Sequence, residues 1–443
     1  MRVRARKSSD SRERPLRTVF YAPICMRGRG STGGTATFFS VFAVVTVVAF
    51  ADGGYFRETW VWLTLAFACL IWITLLMRDT IALGRLELVA LAAFGSFVGW
   101  VGLSAMWSPT PTESVEEAER ALVYVAGLLA AALLVDRDRL RQYYSGIAAA
   151  TVVVAAYSVS DRLHGATPGR DPTQGTLLIE PLGYANALGI AATLGTLLSL
   201  GLATTACSWV ERVAWVAALP VLTLVLIQTE SRGALFALAI GLCVLAILSW
   251  KLHAHLREVR RPLVVAALAG ILALTVVAIS RVDRPLGPRV DYWTVALNQW
   301  KENIWLGSGA GTFALYWLRE GSTSVVLDAH SLYLETLAEI GPIGFLLLIG
   351  ALGLPMFAAA RSRDRSLAAV GGAAYAAYLV HAGLDWDWEM PAVTLIGLLC
   401  GIGVLAADRR GATEITIAPS ARRGLALAAL VLACLGVAAA VAH

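Results

Sequence analysis

Charge is scarce in this chain. Of its 443 residues only 15% are charged and 58% are hydrophobic, whereas soluble domains carry about a quarter charged residues. That deficit excludes an ordinary set of soluble domains, although the length alone would allow two or three. The cysteines are few as well. Cys25, Cys69, Cys207, Cys243, Cys400 and Cys434 form no CxxC pair, and none falls in a segment that the topology below places outside. Neither a disulfide nor a zinc site is therefore expected. Internal repeats are absent, and so is low-complexity sequence beyond the N-terminal tail. No lysine follows the glycine-rich run Gly307-Ser308-Gly309-Ala310-Gly311, so it is not a nucleotide-binding loop of the Walker type. It reads instead as a tight turn feeding a short helix, whose amides are free to meet an anion. A cleavable signal peptide is not expected either. The basic leader is too long, and the apolar run after it continues into a second span.

What the chain does contain is long apolar runs between short islands of charge. Thirteen stretches are long enough to cross a ~30 Å hydrocarbon layer as helices. They fall near 36–51, 59–77, 88–106, 120–135, 142–160, 181–203, 212–229, 233–250, 263–280, 340–360, 367–384, 391–407 and 423–442. Lipid offers the backbone no hydrogen-bond partner, so such runs must be helical. The fold class is thus all-α: a polytopic transmembrane bundle of about 12–13 spans, with one long extracytoplasmic loop carrying short helices. Four regions follow: a disordered basic tail 1–35, transmembrane helices 36–280, the loop 281–339, and C-terminal helices 340–443.

Charge asymmetry orients the bundle. With the N-terminus in the cytoplasm, inside segments hold 26 of the 36 Lys and Arg and outside segments hold 9, with Arg120 at a span boundary. This is the positive-inside pattern, and it implies a multi-pass protein of the plasma (inner) membrane. The net charge of +5 owes much to the tail. The tail is read as a cytoplasmic extension that orients the first helix, with no nucleic acid as partner.

The candidate chemistry gathers on the outer face. Arg232 sits in the short turn Thr229-Glu230-Ser231-Arg232-Gly233. A boundary arginine either snorkels into headgroups or binds phosphate oxygens with its planar fork. Arg281, Arg284 and Arg289 put positive charge outside, against the orientation rule; contact with lipid phosphate or a bound anion would account for them. His330 lies next to the start of a helix whose apolar positions are Leu332, Leu334, Leu337 and Ile340. The helix dipole there favours a neutral ring, which either caps the helix or acts as a general base. Asp385-Trp386-Asp387-Trp388-Glu389 forms the last outside turn. Its indoles and carboxylates suit a sugar, a membrane interface or, least readily, a divalent metal; with no second acidic cluster apparent, no metal is expected. His381 lies one turn earlier, close enough to pair with Asp385. The aromatic density of 281–339, from Trp293 to Tyr333, suits a folded or interfacial lid.

Together these motifs resemble the O-antigen ligase/polymerase superfamily of membrane glycosyltransferases, over about residues 30–407. The Ser231-Arg232-Gly233 turn is similar to the family's first arginine site. Arg289 with Trp293, followed by Leu306-Gly307-x-Gly309-x-Gly311-Thr312-Phe313, is similar to its second. His330-Ser331 and, after nine residues, Gly341-Pro342-Ile343-Gly344 match its histidine signature. Gly183-Tyr184-Ala185-Asn186 is similar to an asparagine motif entering a span from outside. The resemblance implies O-antigen ligase-like transfer of a glycan from a polyprenyl diphosphate carrier, such as undecaprenyl diphosphate, to an acceptor hydroxyl. No cofactor and no metal are implied, and the product would be cell-envelope polysaccharide. In that reading His330, Arg289 and Arg232 are catalytic, and Arg232, Arg289 and Arg284 bind the donor diphosphate. Asp385, Trp386, Asp387, Trp388 and Asn186 contact the glycan. The acceptor is a lipid, a glycan or a protein. A polymerase of the same superfamily and a solute transporter stand as alternatives.

Overall fold

The computed structural model describes residues 32–77, 80–165, 174–249, 287–320, 325–362, 365–409 and 413–416, with residues 420, 423, 424 and 427. The described chain is helical apart from one strand pair. The helices are α1 (Thr32–Ala49), α2 (Arg57–Met77), α3 (Arg85–Leu103), α4 (Pro111–Leu134), α5 (Leu140–His164), α6 (Ala185–Thr205) and α7 (Trp209–Gln228). They continue as α8 (Arg232–Ser249), α9 (Arg289–Glu302), α10 (Phe313–Arg319), α11 (Leu332–Arg361), α12 (Arg365–Ala382) and α13 (Pro391–Ala407). Among the described residues, seven helices are long and apolar enough to span a membrane, and α1, α12 and α13 are shorter apolar helices. Helix α4 joins them by burying its apolar second half, from Val123 to Leu133, while its first turns carry acidic residues. The expected spans at 263–280 and, for all but a few residues, 423–442 lie outside the described residues. So does Arg284.

Helix α13 occupies the centre. Every residue from Pro391 to Ala407 is buried, as expected for a helix that is apolar all round. Its neighbours present tyrosines whose hydroxyls are buried but satisfied. Tyr143 donates to the carbonyl of Leu399 at 2.9 Å, Tyr375 to that of Leu352 at 2.9 Å, and Tyr333 to that of Leu379 at 2.7 Å.

The two ends of the bundle differ in kind. One is closed by ion pairs and a short strand pair. Arg409 grips the fully buried carboxylate of Glu87 with two bonds of 2.7 Å, Arg141 pairs with Glu211 at 2.8 Å, and Arg361 with Asp408 at 2.8 Å. Strands β1 (Thr80–Leu83) and β2 (Thr413–Thr416) run antiparallel there. This end collects the segments expected inside. The opposite end collects the turns at 51–57, 104–111, 178–185, 229–232 and 383–391, together with 287–331. Strict alternation of spans predicts that segregation.

One expectation fails. Cys207 is disulfide-bonded, although the spacing of the cysteines gave no sign of a pair. Sequence spacing does not report which distant segments meet, and a disulfide needs only that two Cβ atoms lie about 4 Å apart.

Candidate functional site

The loop after residue 287 is folded. Helices α9 and α10 pack with the start of α11 around Val295, Ala296, Phe313, Ala329 and Ala338, covered by Tyr292, Trp300, Tyr316 and Trp317. This agrees with the aromatic lid expected from its composition. The glycine run pins the lid to the bundle. Its amides meet a carboxyl group of the chain itself: Gly311 N and Phe313 N donate to the two oxygens of Glu339 at 2.9 and 2.8 Å. Helix α11 breaks at Gly341, whose φ of 68° places it in the left-handed region. A side chain there would strike the carbonyl of Trp305 at 2.5 Å. The Gly307 and Gly341 motifs, which looked like separate signatures, are therefore two faces of one contact.

At the start of α11, His330 adopts φ 54° just before Ser331, the N-cap residue. Its Nδ1 lies 3.1 Å from the carbonyl oxygen of Asp328. A carbonyl can only accept, so Nδ1 carries the proton, and in the neutral ring Nε2 holds the lone pair. Burial pushes the pKa of His330 below the ordinary histidine value, with Arg289 pulling the same way; Asp385 and the Asp328 carbonyl oppose without reversing the shift. The Tyr292 ring stands 4.9 Å from the imidazole.

The residue that gathers the site is Asp385, 1% exposed. Its Oδ2 accepts from the Arg289 guanidinium at 2.6 Å and from Asn186 Nδ2 at 2.7 Å. Its Oδ1 accepts from the Tyr184 hydroxyl at 3.0 Å and the Trp386 amide at 2.9 Å. A buried carboxylate without partners would cost several kcal/mol; four donors, one of them a guanidinium, offset that here. Burial alone would raise its pKa, but Arg289, His381 and His330 hold it below the usual carboxylate range. Arg289 also donates through Nε to the carbonyl of Leu384 at 2.6 Å, so its fork is fixed in plane.

Arg232 opens α8 as an exposed residue. Its turn is seated against the same centre. The Cβ that Gly233 lacks would lie 3.2 Å from the His381 ring, and His381 Nε2 meets Asp387 at 2.9 Å. The other side of the turn rests on α6, where a Cβ at Gly189 would come within 2.8 Å of Ser231. The asparagine motif and the Ser-Arg-Gly turn are thus packed directly together. His381 pairs with Asp387, where Asp385 was the expected partner.

The remaining residues of the acidic turn point different ways. Trp386 packs between Tyr55 and Tyr184, with ring centroids 5.6 and 4.7 Å away. Trp388 lies under the Arg120 guanidinium at 5.4 Å. Arg120 is 6% exposed and pairs with Glu389 at 2.7 Å and with Glu117.

An acidic cluster not legible from spacing completes this end of the molecule. Oxygens of Asp328, Glu335 and Glu389 lie within 4.8 Å of one another. Asp328 and Glu389 are hydrogen-bonded, which requires one of the two to bring a proton. Burial pushes Asp328 up to about 6 and raises Glu389 as well. Three carboxylates at that separation could hold a divalent cation, but the Arg120 guanidinium already engages Glu389. The expectation that the turn at 385–389 has no acidic partner is corrected by this cluster. The signal was split between two segments more than fifty residues apart, Asp328 with Glu335 and, beyond them, Glu389.

No curated protein matches the chain. A family match covers residues 216–349, which include Arg232, Arg289, the glycine run and His330 but not Asn186 or Asp385. His330, the Arg289 fork and the Arg232 turn lie at one end of a multi-pass helical bundle, and the segment that supplies them is similar to the family described as O-antigen ligase.

Proposed function

We propose that the protein is a metal-independent membrane glycosyltransferase that moves a glycan from a polyprenyl diphosphate carrier to an acceptor hydroxyl on the outer face. The observation that carries this reading is the Arg289 fork fixed on the buried Asp385 at 2.6 Å, a carboxylate whose charge also acts on the neutral His330.

The chemistry follows from these groups. The acceptor oxygen attacks the anomeric carbon, and the bond from that carbon to the diphosphate oxygen breaks with its electron pair. His330 Nε2 takes the hydroxyl proton. The departing diphosphate gains negative charge, which Arg289 and Arg232 offset where water is scarce. Asp385 holds the Arg289 fork in place and favours the imidazolium that forms on His330. Trp386 with Tyr55 and Tyr184 supplies aromatic faces for the glycan, and Asn186 keeps Tyr184 and Asp385 in register through bonds of 2.9 and 2.7 Å. Arg284 belongs to the same reading as a diphosphate contact.

Ligation to a lipid acceptor and polymerisation of a lipid-linked repeat share this donor chemistry and differ in the acceptor. The deciding experiment supplies purified protein with a polyprenyl-diphosphate glycan and a panel of acceptors. Transfer that disappears in the Arg232→Ala, Arg289→Ala and His330→Ala variants is the expected result. Near-normal transfer by all three sinks the reading, and solute flux across liposomes without any lipid-linked sugar favours a carrier instead.

A further inference from the structure

Next to this site the bundle contains a narrow cavity of about 80 Å³ between α3, α4, α11 and α13. Its walls are apolar along most of their length: Phe94 and Val101 of α3 face Leu348 and Leu352 of α11, with Leu398 of α13 behind. From Ile340 to Leu352 it follows α11 for about 18 Å, at 1.5 Å per residue. A narrow apolar channel of that length fits an alkyl chain better than a compact solute.

The cavity ends beneath the catalytic loop, and there its character changes. Glu117, Arg120, Glu335 and Glu339 line that end. Glu339 is committed to the lid amides, and Arg120 to Glu117 and Glu389. A diphosphate placed here would meet buried carboxyl groups and a guanidinium already engaged by Glu117 and Glu389. Arg289 is paired as well, with Asp385, but its side chain is 25% exposed where that of Arg120 is 6%. One segment joins the two spaces: the Asp328 carbonyl holds His330 Nδ1, while its carboxyl bonds Glu389 of the acidic end.

Resting on the transferase reading above, we propose that this cavity takes the hydrocarbon chain of the acceptor, and that the acceptor is a lipid with an uncharged, hydroxyl-bearing head. The acidic end excludes an anionic head and accepts hydroxyl donors, which orients the head toward His330. The reacting hydroxyl then forms its bond to the donor's anomeric carbon and gives its proton to Nε2, while the diphosphate leaves toward Arg289.

The test uses the full-length protein in nanodiscs with two photoreactive probes, a diazirine-bearing alkyl glucoside and the matching alkyl phosphate, and maps adducts by mass spectrometry. The glucoside is expected to label peptides covering 94–101 and 340–352 in preference to the phosphate. Leu352→Trp, which fills the channel, is expected to cut that labelling about tenfold, while the volume-conserving Leu352→Met keeps it. Val101→Trp repeats the test from the opposite wall if Leu352→Trp fails to fold. Equal labelling by both probes, or labelling indifferent to both tryptophans, overturns the proposal. Arg232→Ala and Arg289→Ala are expected to label like the parent protein. Labelling that persists in a protein shown to lack transfer leaves the lipid site standing and removes only the enzymatic reading.

Discussion

The Arg289 guanidinium meets the Asp385 carboxylate at 2.6 Å across 96 positions of sequence. Through this contact the lid is joined to the turn at 383–391. Asp385 also receives Asn186 and Tyr184 from the start of α6, so three separate segments depend on one buried anion.

Replacing Asp385 with Asn is expected to lower transfer about 10²–10³-fold, the range seen when one electrostatic contributor to a transition state is lost. Arg289→Lys should lose nearly as much, because an ammonium cannot reach both the Leu384 carbonyl and Asp385. The measurement is kcat on purified variants whose abundance in the membrane is unchanged. Full activity in Arg289→Lys would mean that a point charge suffices and the fork is irrelevant.

The pH dependence has a defined sign. His330 works as a base only when neutral, and its pKa lies below the ordinary value because of burial. The neutral form therefore persists below about pH 6.5, the unperturbed histidine value, and activity falls only as pH drops through the depressed pKa. Asp385 raises the pKa of His330, so the residual activity of Asp385→Asn should show its acid limb at still lower pH. A kcat/KM profile on both proteins checks this, and an acid limb moving to higher pH in Asp385→Asn would contradict it.

Transfer is expected to proceed in EDTA. The cluster of Asp328, Glu335 and Glu389 makes this a sharp test, since its oxygens lie within 4.8 Å. Activity lost to the chelator and restored by a divalent cation would retire the metal-free reading and relocate attention to those carboxylates.

Glu339→Ala should loosen the lid. It strands the amides of Gly311 and Phe313, and each buried donor left unmatched costs about 1–3 kcal/mol. Lower thermal stability and faster hydrogen exchange at 311–313 are the expected readouts, with Glu339→Gln intermediate because its one carbonyl still accepts. Unchanged exchange at those amides would show that Glu339 does not hold the run.

Much of the molecule was legible before folding. Runs such as 391–407 must be helical because lipid cannot satisfy a bare backbone, and the bias of Lys and Arg separates the ends that the fold keeps apart. Arg232 and Arg289 stood out because charge at a membrane boundary needs a partner, and His330 because its place by a helix N-terminus favours a neutral ring. The acidic turn at 385–389 was visible too, but not its division of labour: Asp385 toward Arg289, Asp387 toward His381, Glu389 toward Arg120.

Hydropathy and charge are summed along the chain, so the sequence by itself determined the membrane bundle, its two unlike ends and which polar side chains were candidates. Pairing is decided across helices. Only the tertiary structure made Asp385 the meeting point, turned the glycine run onto Glu339, opened the cavity beside Leu352 and brought Asp328 to Glu389. Each of these depends on which helix faces come within about 3–5 Å, a distance that sequence separation does not encode.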